Sequence, residues 1–213
     1  RSEQTTRELD PGSWGETTHF SIVDDEGLAV GVTQSLNAYF GAKRLAPDLW
    51  FLYGDYMREF EAPEANHPFA LRPEGMPYSS MSATLLAKDG RPHLMIGSPG
   101  SRRIISAVAQ VISSWADGGL SIQDAVDAPR IHVIPEEDDV LFEQRPGSKE
   151  LLLELERRGF SVSIPLSSLQ RQKANPYFGG VHAVALENGG WEGGADGRRD
   201  GSVGRVQRLS LIH

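Results

Sequence analysis

A layered α+β fold is predicted by three features of the sequence. Short runs of alternating apolar residues, closed by Gly- or Asn-containing turns, mark about eight strands. Apolar residues spaced three and four apart mark three helices, one of them long. These elements come in runs and not in strict alternation, which favours packed layers over a doubly wound parallel sheet.

Residues 1–16 are polar, with a turn signal at Asp10-Pro11-Gly12. They are expected to be the tail of an upstream region, with residues 17–213 forming the domain proper. Residues 17–37 are the stretch around which the rest is organised. Thr17, His19, Ser21 and Val23 share one face, and Thr18, Phe20 and Ile22 the other. An acidic, Gly-closed turn follows, and then Leu28, Val30 and Val32 alternate with Ala29, Gly31 and Thr33. This is a β-hairpin whose small-residue face predicts close packing on another layer. The turn centres on Glu26, so a regular antiparallel pairing sets Ser35 across from Thr17.

Residues 42–80 are irregular, rich in Pro, aromatics and charge, and too long for an ordinary connection. They end in the hydroxyl cluster Ser79-Ser80-Met81-Ser82. Ala83 to Lys88 and Pro92 to Gly97, joined at Asp89-Gly90, read as a second hairpin. The turn Gly97-Ser98-Pro99-Gly100-Ser101 leads into the long helix. Its stripe is Ile104, Ile105, Val108, Val111, Ile112 and Trp115, and Gly118-Gly119 stops it. Ser121 with Asp124 starts a short helix in the manner of a capping box. Strands follow at Arg130–Ile134 and Val140–Glu143. Ser148 is expected to cap a helix running to about Arg158, stopped by Gly159. Ser161–Ile164, Val181–Leu186 and Trp191–Ala195 are the last strands, and the residues after Gly201 carry no clear pattern.

Composition excludes several functions. A net charge of −8 without a basic, aromatic-interleaved patch argues against nucleic acid as a partner. No apolar run approaches the roughly 20 residues of a membrane span. Cys is absent, which removes disulfides, thiolate metal sites and a Cys nucleophile. The acidic run Glu136 to Asp139 lacks His partners and ligand spacing, so it reads as a solvated turn and no metal is expected. No cofactor is expected either.

The chemistry visible in the residues is that of hydroxyls and backbone amides. A hydroxyl nucleophile needs a base and a hydrogen-bonded neighbour. Ser35 is placed to be the neighbour of Thr17. A backbone cut before Thr17 would make its own α-amine the base. The Gly100-Ser101 turn at a helix start presents N–H groups to an anion. His19 is expected to be structural, and His132 to lie behind the site.

Five blocks resemble one family. They are Thr17-Thr18-His19-Phe20-Ser21; Leu36-Asn37 with Phe40-Gly41; Ser79-Ser80-Met81-Ser82; Gly97-Ser98-Pro99-Gly100 with Arg103-Ile104; and Asp127-Ala128-Pro129-Arg130-Ile131-His132. In order and spacing they look like the small subunit of the γ-glutamyltranspeptidases. The resemblance implies an N-terminal nucleophile hydrolase with a four-layer αββα sandwich, of which this chain supplies about half. It implies self-cleavage before Thr17 from an inactive precursor, a large subunit of that precursor as partner, and a γ-glutamyl donor such as glutathione. Thr17 is then the nucleophile and Ser35, where the family usually has Thr, its hydroxyl partner. Gly100 and Ser101 supply the oxyanion hole. Asn37, Tyr56, Glu59, Ser79 and Ser80 bind the substrate's α-amino-acid end. The resemblance also points to a periplasmic or extracellular setting, while the residues leave a cytoplasmic one open.

The substrate loop Gly54-Asp55-Tyr56-Met57-Arg58-Glu59-Phe60 departs from the family's usual Asn-Asn-Gln-Met-Asp-Asp-Phe. Glu59 replaces the Asp that holds the α-amine, and Arg58 adds a cation expected to favour more anionic donors. Two alternatives therefore stand beside γ-glutamyl transfer. One is the same chemistry on a glutaryl amide or a poly-γ-glutamate. The other is an uncut, inactive fragment or a non-enzymatic relative.

Overall fold

A computed structural model describes residues 5–8, 16–60, 67–134, 137–166 and 174–206, with 5–8 and 166 described by backbone alone. The expected Asp10-Pro11-Gly12 turn lies outside these residues. Among the described residues the strands are β1 (Thr5–Glu8), β2 (Glu16–Val23), β3 (Ala29–Asn37), β4 (Thr84–Lys88), β5 (Arg91–Gly97), β6 (Ile131–Ile134), β7 (Asp139–Phe142), β8 (Val162–Leu166), β9 (His182–Glu187) and β10 (Gly190–Ala195). The helices are α1 (Arg103–Ala116), α2 (Ile122–Asp127) and α3 (Lys149–Arg157).

The β2–β3 hairpin has the expected register, from Thr17↔Ser35 to Val23↔Ala29. Its turn is held by Asp24, whose Oδ1 accepts from the N–H of Glu26 at 2.9 Å and of Leu28 at 2.8 Å. This is the local side-chain to backbone bonding that suits Asp to turns. In the β4–β5 hairpin, Asp89 and Gly90 take φ of 54° and 75°. Two successive positive φ values are what an Asp-Gly pair offers at a two-residue turn.

These hairpins stack. β4 and β5 join β9 and β10 in an antiparallel sheet of order β10-β9-β5-β4, and the β2–β3 hairpin lies against β5 and β9. The small face of β3 permits the approach, since a Cβ on Gly31 would collide with the Met95 side chain. Likewise a Cβ on Gly97 would run into the His19 ring. Helices α1 and α2 belong to the same core on the sheet's account: Leu94, Ile96, Ala183 and Ala185 cluster with Ile104, Val108, Val111 and Val126. Burying each of the larger aliphatics stabilises by about 1.5–3 kcal/mol. Three layers result, helices on sheet on hairpin.

Four details differ from the sequence reading. Ile105 belongs to the expected stripe of α1 yet is 54% exposed. Ser148 does not cap α3 with its side chain; its Oγ donates to the Arg145 carbonyl at 2.8 Å instead. Residues 5–8 are not merely a polar tail, because β1 pairs in parallel with β8 in a second sheet of order β1-β8-β7-β6. That sheet is mixed, since β7 and β8 are parallel and β6 and β7 antiparallel. The described strands number ten, where the sequence suggested about eight.

A buried ionic knot ties the two sheets' ends together. Arg130 reaches Asp196 at 2.8 Å, and Arg198 reaches Asp196 at 3.1 Å and Glu143 at 2.6 Å, all with side chains at most 2% exposed. The guanidiniums also donate to the carbonyls of Val126, Ala128 and Phe178. Burial alone would raise the Asp196 carboxyl, but Arg130 and Arg198 outweigh it and hold it below the usual carboxylate range. Apart from Arg130 Nε, which has no hydrogen-bond partner among the described residues, these charges are paired and hydrogen-bonded, the form in which burial of charge is tolerated.

The outer face of the hairpin is different. Phe20, Ile22 and Val30 lie 42, 57 and 43% exposed. In the loop region Leu49, Trp50 and Met57 are also exposed. No helix among the described residues is long and apolar enough to cross a membrane.

Candidate active site

Thr17 lies at the start of β2, where the register shifts between Glu16 and Thr17. Its Oγ1 is 2.8 Å from Ser35 Oγ. The Ser35 hydroxyl donates to the Glu16 carbonyl at 3.0 Å and accepts the Asn37 N–H at 2.9 Å. A hydroxyl carries one proton, and that of Ser35 is directed at Glu16. The Thr17 hydroxyl is therefore the donor in the pair. The two side chains form a relay from the Thr17 oxygen to the carbonyl of the peptide bond that precedes it.

The Gly97–Ser101 turn stands beside this relay. Gly100 takes φ of 140° and Ser101 of 55°. Among the described residues neither backbone N–H is engaged in a hydrogen bond, while the Gly100 and Ser101 carbonyls accept from the first turn of α1. Two free donors side by side suit an anionic oxygen. The turn is fixed from behind: a Cβ on Gly100 would come within 3.1 Å of Gly179 Cα, and buried Ser98 accepts the Gly180 N–H at 3.1 Å.

Thr17, Asn37, Tyr56, Glu59, Ser79, Ser80 and Ser101 line one cavity of about 80 Å³. Of the catalytic and substrate-binding residues singled out from the sequence, only Gly100 and Ser35 do not line it: Gly100 precedes Ser101 in the turn, and Ser35 is hydrogen-bonded to Thr17. Asn37 donates its side-chain N–H to Glu59 Oε1 at 2.8 Å, which orients the carboxylate. Ser80 donates to the Ser101 carbonyl at 2.8 Å and so joins the serine pair to the turn. Ser79 Oγ accepts the Met81 N–H at 3.3 Å, leaving its O–H as a donor. Arg58 does not enter the cavity. Its side chain is 64% exposed and pairs with Asp55 at 3.5 Å, so any influence it has on donor preference is exerted from outside the cavity. Tyr78, Met81, Arg102 and Ile104 also line the cavity and were not singled out. Their only signal was adjacency to the Ser79-Ser80 and Gly100-Ser101 motifs.

The histidines stand outside this group. His19 is 3% exposed and bonds to Thr33 Oγ1 at 2.7 Å and Ser21 Oγ at 2.9 Å. Burial, with His182 nearby, pushes its pKa down to about 4. His132 bonds to Ser106 Oγ at 2.9 Å, and burial beside Arg103 lowers it to about 4. Both are neutral at pH 7. No cluster suited to a metal ion occurs among the described residues.

The family model for γ-glutamyltranspeptidase matches residues 2–206. The chain belongs to the γ-glutamyltranspeptidase family. It is 37% identical over 166 residues to a glutathione hydrolase proenzyme of Pseudomonas sp. (strain A14), covering 71% of this chain and 28% of that protein. It is 29% identical over 203 residues to an acylase ACY 1 proenzyme of Pseudomonas sp. (strain V22), covering 95% of this chain and 34% of that one. The chain thus spans about a third of these proenzymes. Among solved structures, a γ-glutamyltranspeptidase from Pseudomonas nitroreducens complexed with L-DON superposes with a TM-score of 0.72 at 28% identity, over 89% of this chain and all of that one.

Proposed function

We propose that this chain is the nucleophile-bearing part of a γ-glutamyl hydrolase or transferase. It acts through an acyl group on Thr17 after cleavage before that residue. The observation that carries this is the Thr17–Ser35 hydroxyl pair, with Thr17 lining one cavity together with Ser101, the second residue of the turn whose N–H groups are free.

In the uncut chain the Thr17 nitrogen is an amide and cannot act as a base. Its hydroxyl, donating to Ser35, attacks the Glu16 carbonyl, whose oxygen Ser35 already contacts. The C–N bond of that peptide breaks as an ester to Thr17 Oγ1 forms. Water then releases the Glu16 carboxylate and leaves Thr17 with a free α-amine. Such an amine titrates near 7.7–8.0, so a useful fraction is unprotonated at neutral pH. It takes the hydroxyl proton as Thr17 attacks the donor's γ-carbonyl. The N–H groups of Gly100 and Ser101 meet the developing oxyanion; one such donor is worth about 10²–10³ in rate in other acyl-transfer enzymes. The amine proton passes to the leaving amine, and water or a second amine releases the acyl group.

Glu59, held by Asn37, faces the substrate's ammonium, while Ser79 donates to its carboxylate. The exposed outer face of β2–β3 is where the large subunit of the precursor adds the remaining layer of a four-layer sandwich. The acylase relative supports a second reading, the same chemistry on a glutaryl amide. The test is to co-express this chain with its upstream half and assay a γ-glutamyl anilide against a glutaryl anilide. Thr17-dependent turnover favouring the γ-glutamyl anilide is expected. Preference for the glutaryl anilide would select the second reading, and turnover surviving Thr17→Ala would remove both.

A further inference from the structure

A second, much larger cavity adjoins the first. A groove of about 830 Å³ runs between α1 and β6 and shares two wall residues, Tyr78 and Arg102, with the cavity at Thr17. Its apolar walls include Ile105, Ala109, Val133 and Tyr177. The exposure of Ile105 and Val133, at 54 and 47%, is exposure to this groove.

Arg102 is the charged group at the junction. It is exposed, and none of the described residues pairs with its guanidinium. The neighbouring Arg103 is spoken for, stacked over the Tyr177 ring at 4.1 Å. Among the described residues no acidic one lines the groove. Nor does the position favour a cation on structural grounds. Arg102 occupies the N-cap of α1, whose first turn holds no acidic residue, and a positive charge there opposes the helix dipole by about 0.3–1 kcal/mol.

We propose that this groove is the subsite for the amine that leaves or accepts the acyl group, and that Arg102 binds its carboxylate. This rests on Thr17 being the nucleophile. With the carbonyl oxygen at Gly100 and Ser101, and the donor's amino-acid end at Asn37, Glu59 and Ser79, the scissile amide nitrogen departs past Tyr78 and Arg102 into the groove. The amines that fit are α-amino acids or short peptides with a free carboxylate and an apolar side chain. The carboxylate takes the guanidinium's donors, and the side chain covers Ile105, Ala109 and Val133.

The experiment uses the processed two-part enzyme and compares kcat/KM for three donors: γ-glutamyl-phenylalanine, γ-glutamyl-phenylalaninamide and γ-glutamyl-glycine. A charge-assisted bond at a partly exposed site predicts about a fivefold preference for the free acid over its amide. Arg102→Gln brings that ratio close to one. Phenylalanine is preferred over glycine as the leaving group, and Ala109→Trp, which fills the groove, removes the preference. An acid-to-amide ratio near one in the unmodified enzyme overturns the proposal without any variant. So does a ratio that Arg102→Gln leaves in place. If Thr17→Ala abolishes hydrolysis while these ratios fail to move, the nucleophile stands and only the groove assignment falls. Hydrolysis that persists in Thr17→Ala removes the nucleophile itself.

Discussion

The β10-β9-β5-β4 sheet and the β2–β3 hairpin lie against one another, yet only the sheet is finished within this chain. Leu94 and Ile96 of the sheet are fully buried beneath α1 and α2. Phe20 and Ile22, on the hairpin's far face, lie in the open. The difference separates what holds the chain together from what the chain presents. Stability resides in the sheet, its helices and the Arg130–Asp196–Arg198–Glu143 knot. Thr17 sits on the element with one face uncovered, the face proposed above to meet the large subunit.

The strongest way to break this contrast is to attack the knot. Asp196→Ala leaves Arg130 and Arg198 short of a buried partner and should cost about 3–5 kcal/mol, read from urea denaturation. A loss under about 1 kcal/mol would mean the knot is not where the stability lies. On the hairpin the opposite holds. Ile22→Asp should leave the chain's own stability within about 0.5 kcal/mol, as surface changes do. It should weaken association with the upstream half more than tenfold, since burying such a side chain is worth about 1.5–3 kcal/mol. Sedimentation of the co-expressed halves measures this, and an unaffected complex would deny the face its role.

Proton uptake probes the seam between the two layers. The folded pKa of His19 lies near 4, below its ordinary 6.5, so the unfolded chain binds more protons between these values. Its contribution is complete above about pH 6.5 and is lost as pH falls from there towards 4. Denaturation midpoints at pH 7.5 and 5.0 should differ in that direction, and His19→Asn should flatten the difference. The smallest effect is expected at the oxyanion turn. Ser101 holds φ of 55°, a region that costs a residue with a side chain about 1 kcal/mol, so Ser101→Gly should raise the melting temperature slightly.

Much of this was legible in the sequence because it is local. The alternation on either side of Asp24–Gly27 fixed the pairing of Thr17 with Ser35, and Asp89-Gly90 fixed the second turn. The cavity residues could be collected because a family resemblance joined motifs that are far apart in the chain. What escaped was non-local. β1 is polar, and its partner β8 lies more than 150 residues away. Ile105 obeys the helical period, but the groove beside α1 leaves it uncovered. Arg102 carried no pattern at all, and only the meeting of two cavities gives it meaning.

The central claim is that Thr17 becomes the nucleophile by cleavage of the bond that Ser35 now contacts. Intact-mass and N-terminal analysis of the chain co-expressed with its upstream half tests it most directly. The account predicts a cut between Glu16 and Thr17, slowed in Thr17→Ser, absent in Thr17→Ala, and absent in this chain alone. A new N-terminus at any other residue, or full acyl-transfer activity from the uncut chain, would contradict it.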